Sequence, residues 1–476
     1  MPDAPDPYGY NTIPYPAAPY PYSHPDHLAM LGTLLGLSPP DVNHCRILEI
    51  GCADGANLLP MALALPRSEC VGIDLADQQV THGETVRRAL GLANATLSCE
   101  NLDTWEPSEP FDYIIAHGFY SWTPAATRDN LLRFIQRWLS PNGIAFVSYN
   151  VMPGWQTRHS LRQWLRCQAQ PGPPATSLAH VRAQLHKLHQ ACDASHDTLA
   201  LLNVHREVSR LVSWNDAYLR HDLLEDNNHP VTFMEFVEHV ATHKLQFLCE
   251  ADFASMTGID LPPEIVQILP TIAPSQFERE TLMDTLTQRA FRQSLVCHAS
   301  VTPNLRITVD RLTNLLVGGT FTEKTSPAGL PKFTAASGWE MELSDPVVVA
   351  AFRAIAQAWP SALPFAKLLP EDERSKDATE RLAAILLSAF SARGVELHTI
   401  PAPFSLEITA QPLASPLARL QARTQAWVTN LRHDVVTIDE TLRDLLQHVD
   451  GSVPREALPA DQLQKLAKRA LLLKID

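Results

Sequence analysis

Positive charge is scarce in this chain: 38 lysines and arginines stand against 52 acids, a formal net charge of −14 over 476 residues. A general nucleic-acid binder draws its affinity from neutralising phosphates, so that class is disfavoured, and an acidic surface suits a basic or neutral partner better. The eight cysteines are scattered and no Cys-x-x-Cys occurs, so neither a thiolate metal site nor a disulfide framework is expected. No stretch approaches the about 20 apolar residues that span a bilayer. Met1 to Pro25 lacks a basic segment followed by an apolar run, so no secretory signal is expected either. These absences leave an ordinary globular composition, 45% hydrophobic and 19% charged, long enough for two to three domains. The expected setting is the cytoplasm, with reduced and mostly buried thiols and no membrane partner.

Against this background one run stands out: Arg46-Ile47-Leu48-Glu49-Ile50-Gly51-Cys52-Ala53-Asp54-Gly55-Ala56-Asn57. An apolar strand-like segment ends beside an acid, passes a glycine-containing loop and continues as a helix, Leu58 to Ala64. Such a turn lets a ligand approach the backbone and the free N–H groups of a helix start. A second strand-like segment, Val71 to Leu75, carries Asp74 at its end, where a carboxylate can take both hydroxyls of a nucleotide ribose. An adenosine-containing cofactor is therefore expected. The loop reads Glu-x-Gly-x-x-x-Gly, and this spacing lacks the third glycine of the dinucleotide fingerprint.

Alternating units continue beyond Asp74. Gln79 to Leu90 reads as a helix, Ala95 to Cys99 as a strand, and Phe111 to Ala116 as another. Thr127 to Leu139 is amphipathic through Leu131, Leu132, Ile135 and Leu139. Ser140-Pro141-Asn142-Gly143 reads as a turn before a fifth strand, Ile144 to Tyr149. A helix over 231–243 and strands Leu245 to Cys249 and Ser294 to Ala299 would complete the sheet, with 158–225 as a helical insertion. The pattern predicts an α/β fold whose ligands gather at the carboxyl ends of parallel strands.

The first 25 residues hold five of the nine tyrosines (Tyr8, Tyr10, Tyr15, Tyr20, Tyr22) and eight prolines. Proline excludes helix and central strand, while aromatic rings are uncommon in disordered tails. We expect an extended arm that buries its rings across the ligand cleft. The acidic stretch His221-Asp222-Leu223-Leu224-Glu225-Asp226 reads as a solvated helix end rather than an attractor for a basic side chain.

The glycine loop with its leading Glu49 and following Asp74 resembles that of class I S-adenosylmethionine-dependent methyltransferases, with Ala53 where that family has its middle glycine. The likeness narrows to the bacterial methyltransferases with a methyltransferase regulatory domain, a group that includes rickettsial protein-lysine methyltransferases acting on an outer-membrane protein. It rests on Pro19 to Pro25, Ile47 to Met61, Gly72 to Leu75, Asp112 to Trp122, Ser148 to Trp155 and Tyr218 to Glu225. The resemblance implies a Rossmann-like seven-stranded sheet and S-adenosylmethionine as cofactor. Gly51, Ala53 and Gly55 would line its methionine part, with Glu49 near the amino group and Asp74 on the ribose. Asp103 and the backbone N–H of Leu102 would take the adenine. His117 is a candidate for both the cofactor and the catalytic site. Tyr120, Trp122, Tyr149, Asn150 and Trp155 would wall the acceptor channel, with Tyr120, Tyr149 and Trp155 the catalytic candidates beside His117.

For a lysine acceptor the amine must lose its proton, which desolvation among rings favours. The Asn/Asp-Pro-Pro-Tyr tetrapeptide of DNA amino-methyltransferases is absent after the fourth strand, lowering the nucleic-acid reading further. Four regions are expected: the arm (1–25), the cofactor-binding core (26–157), the helical insertion with the regulatory domain (158–300) and a winged-helix-like α+β region (301–476). In the last, Asp345 to Trp359 and Asp377 to Ser391 read as helices and Val395 to Ile400 as a strand; Thr437 to Val449 and Leu463 to Leu473 suggest a second such unit. The helix Asp377 to Ser391 carries little positive charge, which favours protein contacts over DNA. The expected activity is methyl transfer to a protein or peptide lysine. A small-molecule N- or O-methyltransferase and a non-catalytic cofactor-binding regulator are the alternatives, and a homodimer stays open.

Overall fold

A computed structural model describes residues 9–168, 174–194, 198–371 and 374–474. Tyr8 and the chain before it lie outside the described residues. Seven strands form one sheet: β1 (Arg46–Ile50), β2 (Glu69–Asp74), β3 (Ala95–Cys99), β4 (Phe111–Ala116), β5 (Leu139–Asn150), β6 (Leu245–Glu250) and β7 (Phe291–His298). Their order is β3-β2-β1-β4-β5-β7-β6, with β7 antiparallel to both neighbours and the other pairings parallel.

The two faces follow from strand parity, since successive side chains point to opposite sides. Ile47, Cys70, Tyr113, Ile115, Ile144 and Phe146 join α1 (Pro25–Leu34) and α2 (Leu58–Ala64) in one core. Leu48, Ile50, Ile114, Ala116, Ala145, Val147 and Tyr149 face the other way, onto α4 (Ala125–Trp138) and the helix Phe233–Thr242. Leu131, Leu132 and Ile135 of α4 are fully buried, each contributing about 1.5–3 kcal/mol of apolar burial. The tetrapeptide read as a turn is instead a bulge within β5. Leu139 pairs with Phe111 and Ile144 with Tyr113, so Ser140 to Gly143 are taken up between two paired positions.

Between β5 and β6 the chain makes α5 (Gln156–Gln168), α6 (Pro174–Asp193) and α7 (Leu199–Val212), which share a separate small core. The β6–β7 edge is braced by Arg292, wholly buried among Glu250, Glu280 and Asp284 at 2.7, 3.0 and 2.8 Å.

The C-terminal part has two units. In the first, Leu316–Gly318 pairs with Leu363–Pro364 and Glu396–His398, beside helices Pro346–Ala358 and Lys376–Phe390. Its core is continuous with the α1 side of the sheet. A three-stranded meander, Phe321–Thr325, Pro331–Ala335 and Glu340–Glu342, was not foreseen. The second unit carries helices Pro416–Gln421, Glu440–His448 and Ala460–Lys468 and the hairpin Trp427–Thr429/Val435–Thr437. No described helix is long and apolar enough to cross a membrane.

Candidate active site

A cavity of about 480 Å³ opens at the carboxyl ends of β1, β2 and β4. Three regions distant in sequence enclose it: the strand-end loops, the arm and the last turns of the helical insertion.

The floor is the loop after β1. Gly51 has φ +76°, and a side chain there would meet only Phe119 before projecting into open space. Ala53 also sits in the left-handed region, at φ +51°, so the residue standing where the family has glycine carries backbone strain. Its N–H donates to Asp74 Oδ2 at 2.8 Å, while Asp74 Oδ1 accepts from Ala76 N at 2.8 Å. Asp74 is thereby oriented at the cavity wall, with lone pairs left for two hydroxyls. Gly55 does not line the cavity as expected. It lies beneath the loop at φ +74°, where an added Cβ would come within 2.9 Å of Leu97, so it serves close packing of loop on sheet.

Glu49 is 4% exposed. Its Oε1 accepts from Asn57 Nδ2 at 2.7 Å, while Oε2 is buried without a partner. Burial pushes its carboxyl up to about 8, the nearby Asp74 and Asp54 add to this, and the Asn57 hydrogen bond opposes it. An unpartnered buried carboxylate oxygen beside an open glycine cradle fits a ligand bearing an ammonium group. On these observations the residues fit the methionine end and the ribose of S-adenosylmethionine.

Leu102 and Asp103 reach the cavity's far rim, and Asp103 is exposed. Its two oxygens accept from Thr127 Oγ1 at 2.9 Å and Asn130 Nδ2 at 3.0 Å, which fixes the carboxylate at the edge. His117 forms the wall under the arm, its ring centroid 3.8 Å from that of Tyr20. Burial holds its imidazole down at about 4, so it is neutral at pH 7, and its Nδ1 has no partner.

Of the expected channel residues, Trp122, Asn150 and Trp155 line the cavity. Tyr120 and Tyr149 do not. Tyr120 is 2% exposed, with its hydroxyl 2.8 Å from His239 Nδ1. Tyr149 is 1% exposed, stacked on Phe236 at 4.1 Å, with its hydroxyl against Ser294. Both belong to the core under the sheet, so neither reaches a reacting group.

The arm roofs the cavity as expected. Tyr10, Tyr15 and Tyr20 line it, while Tyr22 turns toward a second cavity between α1 and the C-terminal units. Tyr10 stacks on His221 at 4.2 Å and Tyr15 meets Tyr218 edge-on at 5.3 Å. Asn11 donates to Asp77 at 2.7 Å, tying the arm to α3 (Asp77–Ala89) as well.

The stretch read as a solvated helix end is corrected here. Asp222 and Glu225 face the cavity, and Glu225 is 5% exposed. Burial raises the Asp222 carboxyl to about 7 against the opposing Arg158 charge and a hydrogen bond with Tyr15. Arg158, another residue without a signal in the sequence, also lines the cavity, packs over Trp155 and pairs with Glu207. Among the described residues two groups could offer ligands to a metal ion, Asp129/His239/His243 and His189/Asp193/His205, and neither lines this cavity.

A seven-stranded sheet in this order, with its acids and glycine loop at the strand ends, defines a class I S-adenosylmethionine-dependent methyltransferase. Comparison with known proteins agrees segment by segment. Residues 48–145 match the "Methyltransferase domain" model and 215–298 the "Predicted methyltransferase regulatory domain". Residues 410–476 match "PKMT, C-terminal winged helix domain". An uncharacterized protein of Rickettsia prowazekii is 28% identical over 98% of this chain and 87% of its own length. A second from the same organism is 33% identical over 48% of this chain and 92% of its own length. The structure of PKMT2 from Rickettsia typhi in complex with AdoHcy superposes with a TM-score of 0.84 at 23% identity, covering 97% of this chain and all of that one. The chain belongs to the methyltransferases that carry this regulatory domain, and its cofactor is S-adenosylmethionine.

Proposed function

We propose that this methyltransferase acts on the side-chain amine of a protein lysine. The observation that carries the reading is the cavity lining beyond the cofactor residues. Asp222, whose carboxyl titrates near neutrality, stands among Tyr10, Tyr15, Tyr20 and Trp155. Such a lining favours an amine over an anionic or purely apolar acceptor. The rings desolvate an incoming ammonium and lower its pKa, and a carboxylate matched to neutral pH takes the proton. The freed nitrogen lone pair forms the N–CH₃ bond. When bound, the cofactor's sulfonium supplies the methyl group and takes back the S–C electron pair. The chain's remaining task is alignment, which can contribute on the order of 7–11 kcal/mol to such a displacement. The PKMT winged-helix match and the likeness to PKMT2 support a polypeptide acceptor, and the net charge of −14 suits a basic or neutral partner.

Incubation with labelled S-adenosylmethionine and cell lysate tests the reading. Label in protein bands that hydrolyse to methyl-lysine is the expected result. Label confined to small molecules would overturn it in favour of a small-molecule methyltransferase. Cofactor binding without any transfer would indicate a regulator.

A further inference from the structure

One amide at the cofactor site is held from three parts of the chain at once. Asn57 is 4% exposed and sits behind Glu49. Its Oδ1 accepts from the backbone N–H of Tyr20 at 2.8 Å, and its Nδ2 donates to Glu49 Oε1 at 2.7 Å. Because the Tyr20 N–H is a donor only, Oδ1 must face it, and the amide has one permitted orientation. Nδ2 also donates to the buried Ser23 Oγ at 3.1 Å, and from the third part of the chain His433 Nε2 lies 2.8 Å from the same Oδ1. That atom must therefore carry the hydrogen, and burial keeps the imidazole neutral by pushing its pKa well below the usual value.

His433 belongs to the winged-helix unit. It occupies the turn between Trp427–Thr429 and Val435–Thr437, at φ +66°. Asn430 fixes that turn, its side-chain oxygen accepting from the N–H groups of Arg432 and Asp434 at 2.9 and 2.8 Å. The hairpin thus carries a 5% exposed histidine into the methyltransferase core, 376 positions from the residue it touches.

We propose that His433 is a positioning residue through which the winged-helix unit sets the methionine end of the cofactor site: it holds Asn57, and Asn57 holds Glu49 toward the ammonium group. The proposal rests on reading Glu49 as the ammonium's partner. Ligands that lack the amino-acid end should be indifferent to His433, which separates positioning from a merely structural role.

The test is calorimetric titration of the full chain with S-adenosylhomocysteine and with 5′-methylthioadenosine, which has no amino-acid end. His433→Ala should weaken S-adenosylhomocysteine about tenfold, the scale of one lost hydrogen bond to a buried polar group, and leave methylthioadenosine within about twofold. His433→Gln, which offers an amide donor, should recover most of the loss. Equal weakening of both ligands, or no weakening of either, overturns the proposal. Should the alanine variant not fold, His433→Phe, which keeps the packing and removes the donor, is held to the same two criteria. Glu49→Gln guards the underlying reading. If it leaves S-adenosylhomocysteine unaffected, the assignment of Glu49 fails; if it weakens that ligand while His433→Ala and His433→Gln do not, only the role of His433 fails.

Discussion

Glu49 makes cofactor binding a pH-dependent event with a calculable slope. Its carboxyl titrates at about 8 in the free protein because it is buried near Asp74 and Asp54. An ammonium ligand binds the ionised form, whose population is about 1% at pH 6.0 and about 24% at pH 7.5. Affinity should therefore rise about 15- to 19-fold across that interval, because an α-amino group titrating at about 7.7–8.0 has itself lost part of its proton by pH 7.5. The sign follows from linkage: a raised acid stores a proton that the arriving cation must expel. At pH 7 calorimetry in buffers of different ionisation enthalpy should show nearly one proton released per S-adenosylhomocysteine bound. Glu49→Gln should flatten the profile and weaken binding by about 1.5–3 kcal/mol at pH 7.5, as for a hydrogen bond to a charged group. 5′-Methylthioadenosine should bind with the same affinity at both pH values. A flat profile for S-adenosylhomocysteine in the unmodified protein, with no buffer-dependent heat, would refute the ammonium assignment.

Three further outcomes are expected. Tyr120→Phe and Tyr149→Phe should keep kcat/KM within about threefold while costing about 1 kcal/mol each in urea unfolding, since both hydroxyls bond within the core; a loss of a hundredfold would return them to the chemistry. Ala53→Gly should raise the unfolding midpoint, by about 1 kcal/mol of relieved strain, whereas Gly55→Ala should lower it through the clash with Leu97. Asp26→Ala should destabilise the docking of the first C-terminal unit by about 3 kcal/mol, because Asp26 holds His398, the Thr399 backbone and hydroxyl and the Ile400 N–H. Burial opposes both charges of that pair, yet Asp26 and Glu396 together keep His398 at about 9, and hydrogen bonds from His398 and Thr399 hold Asp26 at about 2. The histidine's contribution is present below about pH 6.5 and lost as pH rises through about 9. The acid's is present above about pH 4 and lost as pH falls through about 2. Thermal unfolding should accordingly peak between about pH 4 and 6.5 with respect to this pair, and an unchanged midpoint at pH 9.5 would contradict the argument.

Local chemistry wrote the sheet legibly. β3 and β4 are readable to the residue because Ala95, Leu97 and Cys99 alternate with Thr96 and Ser98 in the first and the second is an apolar run broken only by Asp112, and the loop acids follow from their places at strand ends. The Ser140 to Gly143 bulge was misread because turn residues within one strand carry the same signature as a turn between elements. Tyr149 was misplaced against an available signal: it shares parity with Ala145 and Val147, which belong inside, while Asn150 next to it faces the cavity. The exposed meander at 321–342 has too few buried residues to show a period. Asp222, Arg158 and His433 become site residues only through contacts that no spacing encodes. A helical insertion and a hairpin hundreds of positions away bring them there.

Proline in the arm has a consequence for how the cavity is closed. Between Gly9 and Tyr22 the chain carries Pro14, Pro16, Pro19 and Pro21, each with φ already fixed before the arm is laid down. Every such residue removes about 0.4–1 kcal/mol of the disorder that closure would otherwise have to suppress, so the four together lessen the entropic penalty by about 2–4 kcal/mol. A segment stiffened in this way gives up less freedom when Tyr10, Tyr15 and Tyr20 pack over the cavity, so few ring contacts suffice to hold the roof in place.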